Sequence, residues 1–299
     1  MELIAISDIY GDSKIVGELA SRLDNKLCED RIIIIAGDVA NKLSSATYEK
    51  DANEVFSILR DHSAYVLFIP GDTDDKDLHG GFDNVISLDR SSFSVEIGGV
   101  RLGFIGFGGA PRQSLRKNER TSYVWDEGII EQGIIVDLKI ALEKASLPPA
   151  PDYIILVTHS PPYGIADYST TITMREMLVV EEVSEELLPL ISAPKEEKTS
   201  EAKRMSRSPR RLGSHVIKKF ADFYKPDIHL FGHVHKQGGK LQTNEATQFL
   251  NISHLSPVPY KLTGRKYLRL EITRDRISQS FDSVVSKDLS FADFVETYL

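Results

Sequence analysis

Three aspartates, Asp8, Asp38 and Asp72, and three histidines, His159, His233 and His235, each stand just after a short apolar run. Carboxylate oxygen and neutral imidazole nitrogen are donors suited to Mn, Fe, Zn or Ni, and one carboxylate has two oxygens with which to bridge a pair of such ions. Two ions about 3.5–4 Å apart clamp phosphoryl groups and supply hydroxide near neutral pH. The residue types therefore point to metal-assisted hydrolysis.

The runs that must position these groups are Leu3 to Ile6, Ile32 to Ile35, Val66 to Ile69, Ile154 to Val157 and Ile228 to Phe231. They are short and rich in Ile and Val, which predicts buried strands. A polar residue that follows such a strand lies at the carboxyl edge of the sheet, where open α/β sheets bind ligands. Ile15, Val16, Leu19 and Leu23 recur at helical spacing after a predicted N-cap at Asp12-Ser13, and Ala52, Val55, Phe56 and Leu59 do the same before the Tyr65 strand. This alternation predicts right-handed βαβ crossovers and a mainly parallel half-sheet.

Val85 to Leu88, Phe93 to Ile97 and Val100 to Phe107 read as antiparallel or edge strands, with Gly98-Gly99 as a hairpin turn. Gln248 to Ile252, Tyr267 to Thr273 and Ile277 to Phe281 repeat that pattern around a turn at Arg274-Asp275, so each half of the chain is expected to contribute one sheet. Gly213-Ser214, followed by Val216, Ile217, Phe220 and Phe223, predicts a helix that ends at Lys225-Pro226.

The order Asp8, Gly37-Asp38, Gly71-Asp72, Thr158-His159-Ser-Pro-Pro162 and Gly232-His-Val-His235 resembles the calcineurin-like metallophosphoesterase superfamily. Within it, the segments Gly99 to Gly109, His159 to Gly164 and Lys225 to Lys236 are similar to the Icc-related phosphoesterases. The resemblance implies a four-layer αββα sandwich of two mixed sheets flanked by helices. It also implies one domain over residues 1–299 with a helical, charged insertion at about 165–212. Its cofactors would be two divalent or mixed-valence transition metals, Mn, Fe, Zn or Ni. Asp8 and His235 match ligands of one ion, Asp72, His159 and His233 match ligands of the other, and Asp38 matches the bridge. The implied reaction is hydrolysis of a phosphomonoester or phosphodiester, with hydroxide from the two-metal site attacking phosphorus in line. Asp38, Asp72 and His159 would carry it, and Asp74 is a candidate to orient the imidazoles.

The chain departs from the superfamily pattern at two motifs. Asp8-Ile9-Tyr10 replaces Asp-x-His, and Gly71-Asp72-Thr73-Asp74 replaces Gly-Asn-His followed by Asp or Glu. Tyr10 is thus a further candidate ligand as phenolate, or else a packing phenol. Asp72 adds negative charge to a cation site. Thr73 cannot serve as a general acid near neutral pH, which favours substrates with good leaving groups. His254, in Asn251-Ile-Ser-His254, is a candidate replacement for the missing imidazole. The same departures support an alternative, a degenerate metal-poor scaffold like a retromer subunit of this fold. A nuclease is the second alternative.

Composition sets the remaining bounds. The chain has 299 residues, 41% hydrophobic and 27% charged, with one cysteine, Cys28, and a net charge of -8. That balance supplies no general attraction for nucleic acid or an anionic membrane, and leaves nucleic acid as a partner only through the basic run Lys203 to Arg211. A single cysteine permits no internal disulfide and suits a reducing compartment; Cys28 reads as a small apolar helix residue. No basic leader precedes the first strand, and no apolar stretch approaches a membrane span. The expectation is a cytoplasmic protein acting on a phosphate ester, without a membrane partner.

Met177, Val180, Val183, Leu187 and Ile191 predict an amphipathic helix ending near Pro189, and the charged run from Pro194 to Arg211 predicts a surface loop, lid or binding arm. His62, His79, His215 and His229 match no motif and read as surface or structural.

Overall fold

A computed structural model of the chain describes residues 1–43, 45–112, 121–169, 210–244, 246–253, 255 and 265–284. The helix expected around Met177 to Ile191, the charged run as far as residue 209, and His254 lie outside the described residues.

Strands β1 (Glu2–Ile6), β2 (Arg31–Ala36) and β3 (Tyr65–Ile69) are parallel neighbours in that order, as their apolar runs predict, and β4 (Val85–Ser87), read as an antiparallel or edge strand, is an edge strand parallel to β3. Helices α1 (Ser13–Ala20) and α2 (Tyr48–Arg60) make two of the crossovers. Asp12 caps α1, its Oδ1 accepting from the Ile15 amide at 3.1 Å and satisfying a backbone donor that the first turn leaves unpaired. Cys28 sits half-buried in a short 3₁₀ turn (Asn25–Asp30) rather than in an α-helix.

The hairpin of β5 (Ser91–Ile97) and β6 (Val100–Phe107) turns on Gly98 and Gly99, both at positive φ, 58° and 74°. A two-residue turn matched to strand twist needs that conformation, and glycine adopts it without a Cβ penalty. The chain then passes through a short parallel pair, β7 (Ala110–Pro111) and β8 (Val124–Trp125), and helix α3 (Glu127–Ala145). Next come β9 (Tyr153–Thr158) and an antiparallel pair, β10 (Tyr168–Ser169) with β11 (Arg210–Arg211). Helix α4 (His215–Tyr224), strand β12 (Ile228–Phe231), β13 (Leu241–Thr243) and β14 (Gln248–Asn251) follow. In this second sheet β6, β9, β12 and β14 are successive parallel neighbours, with β5 and β13 antiparallel at its two edges. Contrary to expectation, β14 is therefore interior and parallel on one side.

The C-terminal hairpin of β15 (Lys266–Ile272) and β16 (Ile277–Ser283) corrects the reading that each half of the chain builds one sheet. It crosses back to the first sheet, where β15 runs antiparallel to β1. The free side of β1 accepts it because Leu268 and Leu270 pair with Ala5 and Leu3, extending the apolar face between the sheets.

Alternation along the strands sorts side chains into separate cores. Leu3, Ala5, Ile32 and Ile34 meet Leu102, Phe104, Ile155 and Val157 of the opposite sheet. Ile4, Ile6, Ile33 and Ile35 pack with Ile15 and Leu19 of α1 and Val55, Phe56 and Leu59 of α2. On the far side, Ile105, Phe107, Leu156 and Phe231 pack with Leu138 of α3 and Ile217 and Phe220 of α4. The architecture is helix, sheet, sheet, helix: two mixed sheets flanked by helices. Helix α4 is capped by Ser214 and ends at Lys225, as read, but Ala221 completes its buried stripe while Phe223 stands 77% exposed. Among the described residues, no helix is long and apolar enough to cross a membrane.

Candidate metal centre

Asp8, Asp38 and Asp72 lie just beyond β1, β2 and β3, while His159 and His233 lie just beyond β9 and β12. The carboxyl edges of the parallel strands of both sheets thus converge. Backbone bonds hold the loops together: the Asp8 amide donates to Gly37 O at 3.0 Å, Ile9 to Asp38 O at 2.8 Å, and Gly232 to His159 O at 3.0 Å.

Asp8, Asp38 and His233 adopt positive φ, 60°, 51° and 68°, and so does Tyr10 at 55°. Such conformations are uncommon for residues with a Cβ and persist where the surroundings over-determine them, which happens most at functional sites. The neighbouring glycines make room. A Cβ on Gly37 would lie 2.3 Å from His159 Nδ1, and one on Gly232 would lie 2.0 Å from Ser7 Oγ.

All six predicted residues are brought together. Asp72 Oδ1 is 2.9 Å from His159 Nε2 and 3.2 Å from His233 Nδ1, while Asp8 Oδ1 is 3.1 Å from His235 Nε2. His159 Nε2 also faces Asp38 Oδ2 at 3.6 Å. Asp72, His159 and His233 offer ligand atoms within 4.8 Å of one another, as do Asp8, Asp38 and His159. Tyr10 stands at the same place, its hydroxyl 3.2 Å from His235 Nε2. The aspartates and His159 are buried, whereas His233, His235 and Tyr10 are partly exposed, so the cluster opens on their side.

His159 Nδ1 lies 2.9 Å from Ala36 O. A carbonyl only accepts, so Nδ1 carries the hydrogen, and Nε2 is the nitrogen turned to the carboxylates. Burial disfavours a charged His159, but Asp38, Asp72 and Asp8 outweigh it and raise the pKa to about 10. Burial, reinforced by the charges of Asp72 and Asp8, pushes Asp38 up despite the opposing pull of His159. For Asp8 and Asp72, burial acts upward as well, but His235 for the first and His233 with His159 for the second bring both below the ordinary carboxylate range. Burial and the charges of Asp38, Asp8 and Asp72 push the Tyr10 phenol well above its usual value. Crowded carboxylates that hold protons on their neighbours are short of positive charge, and with imidazole nitrogens among them they form a donor set that fits transition-metal cations.

Asp74 does something the sequence did not foretell. Its oxygens accept from the amides of Val39, Ala40 and Gly71 at 3.0, 3.0 and 2.8 Å, bracing the loops that carry Asp38 and Asp72. Burial and the Asp38 charge, against those three bonds, move its pKa up to about 7. The acceptor that orients His159 is Ala36 O, a backbone group that no side-chain pattern reveals. Ser7 is not singled out by the sequence, and Thr73 reads there only for the imidazole it lacks. Ser7 Oγ lies 2.6 Å from Asp8 Oδ2, and Thr73 donates to Asp38 Oδ1 through its amide at 3.0 Å and its hydroxyl at 2.8 Å. Their adjacency to Asp8 and Asp72 was the only signal available. Of the histidines outside the motifs, His229 is buried and His79 and His215 are exposed.

The family model for calcineurin-like phosphoesterases matches residues 1–237. Comparison with curated proteins by sequence finds no match. Among solved structures, TT1561 of Thermus thermophilus is 14% identical with a TM-score of 0.56, over 95% of this chain and 99% of that one. The sulfate thiohydrolase SoxB of Thermus thermophilus, in complex with glycerol, is 12% identical with a TM-score of 0.49, over 99% of this chain and 58% of that one.

Proposed function

This chain belongs to the calcineurin-like phosphoesterase family, and from that premise we propose that it hydrolyses phosphoric monoesters or diesters at the carboxylate–imidazole cluster, with two transition-metal ions as cofactors. The observation that carries this reading is the setting of His159, whose Nδ1 hydrogen is tied to Ala36 O while Nε2 points between two buried carboxylates. Asp8 and His235, with Tyr10 as a further candidate, would hold one ion; Asp72, His159 and His233 would hold the other; Asp38 would serve both. When bound, ions of the Mn, Fe, Zn or Ni type supply positive charge to the phosphoryl oxygens and acidify a water for attack.

The chain's own residues prepare that site. Thr73 saturates Asp38 Oδ1 and leaves Oδ2 facing the cluster. Asp74 fixes the spacing of the Asp38 and Asp72 loops through three backbone amides. Groups held in place before the substrate arrives need little reorganisation during reaction, which is where electrostatic catalysis gains most. Buried walls on the aspartate side keep bulk water out, and the substrate enters past His233 and His235.

The test is hydrolysis of bis(p-nitrophenyl) phosphate and p-nitrophenyl phosphate by the full chain, with metal content measured after exposure to Mn, Fe, Zn or Ni. We expect bound transition metal and turnover that stops on chelation. A chain that takes up no ion and turns over neither ester would overturn the hydrolase reading and favour a scaffold in which Tyr10 is a neutral phenol on His235.

A further inference from the structure

We propose that Tyr163, Tyr168, Arg211 and His215 form a stacking subsite for a flat heteroaromatic ring on the organic part of the phosphate ester, an inference that rests on the hydrolase reading above. Tyr163 and Tyr168 lie on the segment that follows His159, Arg211 is in β11, which pairs with the Tyr168 strand, and His215 opens α4. Tyr163 follows His159 through Ser160-Pro161-Pro162, and its amide donates to Ser214 O at 2.9 Å. Tyr168 O accepts from Gln237 Nε2 at 3.0 Å, within the turn that begins at His235. Asn251 ties the loops together, its Nδ2 donating to Ala166 O at 3.4 Å and Val234 O at 3.3 Å. The cluster is therefore fixed beside the open side of the metal-ligand set.

Its side chains form a ladder. His215 stacks on Tyr163 with ring centres 3.8 Å apart and planes 22° from parallel. The Arg211 guanidinium then lies 5.2 Å from the Tyr163 ring centre and 4.4 Å from that of Tyr168. Arg211 is anchored by the buried Asp167, whose Oδ1 accepts from Nη1 at 2.9 Å and whose Oδ2 accepts from the Gly164 amide at 2.8 Å. That carboxylate cancels the guanidinium charge, so the ladder carries no surplus cation for a second phosphate. What it presents is aromatic faces and guanidinium N–H groups.

Tyr163 is 36% exposed, Tyr168 is 40% exposed and His215 is exposed as well. A ladder that served only to brace the chain would gain most by covering its side chains; here they remain partly in contact with solvent, on segments bonded to the loop of His233 and His235. Rings ordered in advance bind a flat partner with little further loss of freedom. Stacking also selects planar π systems over aliphatic groups, and guanidinium N–H groups suit ring nitrogen or carbonyl acceptors.

Equilibrium binding to the full chain by calorimetry tests this, with AMP and ribose 5-phosphate as probes because the second carries an anomeric hydroxyl in place of the adenine ring. Wild type should bind AMP about tenfold more tightly. That ratio should fall toward one in Tyr168→Ala and His215→Ala and be retained in Tyr168→Phe. Failure to bind AMP, equal affinity for the two probes, or a preference that survives both alanine substitutions overturns the subsite. Binding needs no turnover, so an AMP preference without ester hydrolysis sinks the hydrolase reading alone. Hydrolysis of the activated esters without an AMP preference sinks the subsite alone.

Discussion

Thr73 donates twice to one oxygen of Asp38, through its amide at 3.0 Å and its hydroxyl at 2.8 Å, and thereby turns the other oxygen toward His159 Nε2, 3.6 Å away. A residue that stands where a family histidine is expected thus has a task of its own, to fix the rotation of the bridging candidate.

Removing only the hydroxyl isolates that task. Thr73→Val should lower stability by about 1.5–3 kcal/mol, the range for a hydrogen bond to a charged group, whereas Thr73→Ser should lose less than half as much. Urea denaturation of the metal-free chain reads the difference. No measurable loss in Thr73→Val, which keeps the methyl group and lacks the hydroxyl, would dismiss the hydroxyl bond.

Gly232 has no space for a side chain, since a Cβ would lie 2.0 Å from Ser7 Oγ and 2.9 Å from Ala36 O. Gly232→Ala should therefore destabilise the fold by about 3 kcal/mol or more, at the upper end of overpacking costs, because backbone as well as a side chain must shift. Thermal unfolding checks it. A midpoint within a degree or two of wild type would show that the loops yield easily.

His229 makes stability sensitive to acid. Thr158 Oγ1 donates to Ser160 O at 2.7 Å and so accepts from His229 Nε2 at 2.8 Å, while His229 Nδ1 has no hydrogen-bond partner among the described residues and the ring packs against Phe231 and Phe249. Burial lowers its pKa from 6.5 to about 3. Above pH 6.5 the ring is neutral folded or unfolded; below it, only the unfolded chain takes up the proton, so stability falls by about 1.4 kcal/mol per pH unit on the way toward pH 3. His229→Leu should flatten that slope in denaturation curves between about pH 6.5 and 4. A variant with the wild-type slope would place the acid sensitivity elsewhere.

Cation binding should stabilise the chain. If Mn binds only the folded state, a concentration about one hundred times its dissociation constant adds about 2.7 kcal/mol. His233→Gln, which removes a partly exposed imidazole without opening the core, should lose more than half of that increment. An unchanged increment, read as the rise in Tm on adding Mn, would take His233 out of the ligand set.

Much of this molecule could be read from its residues in order. The apolar runs at Leu3, Ile32, Val66, Ile154 and Ile228 became strands because short runs dominated by Ile, Val, Leu and Phe are stable only when both faces are covered. The cap at Asp12, the turn at Gly98-Gly99 and the end of α4 at Lys225-Pro226 followed from local chemistry that needs no distant partner. The placing of the candidate site residues followed for a related reason: a polar residue directly after a buried strand lies at the edge of the sheet.

Distant pairing was beyond such reading. Nothing local distinguishes a C-terminal hairpin that extends the second sheet from one that returns to β1; the open side of β1 decided it, by matching Leu268 and Leu270 to Ala5 and Leu3. The partners of the candidate ligands were equally hidden. Ala36 O orients His159, and Asp74 binds backbone amides, through contacts that exist only once loops far apart in sequence lie side by side.

By itself, the order of residues determined which segments are buried strands, where they stop, and which acids and imidazoles are carried to their carboxyl edges, because these depend on side-chain type and spacing along a few residues. Tertiary structure alone decided which of those edges meet, which oxygen of Asp38 faces inward, and that Tyr163, Arg211 and Tyr168 align beside the histidine loops. Those outcomes rest on distances between chain segments, set by packing of the two sheets and not by any one segment's preference.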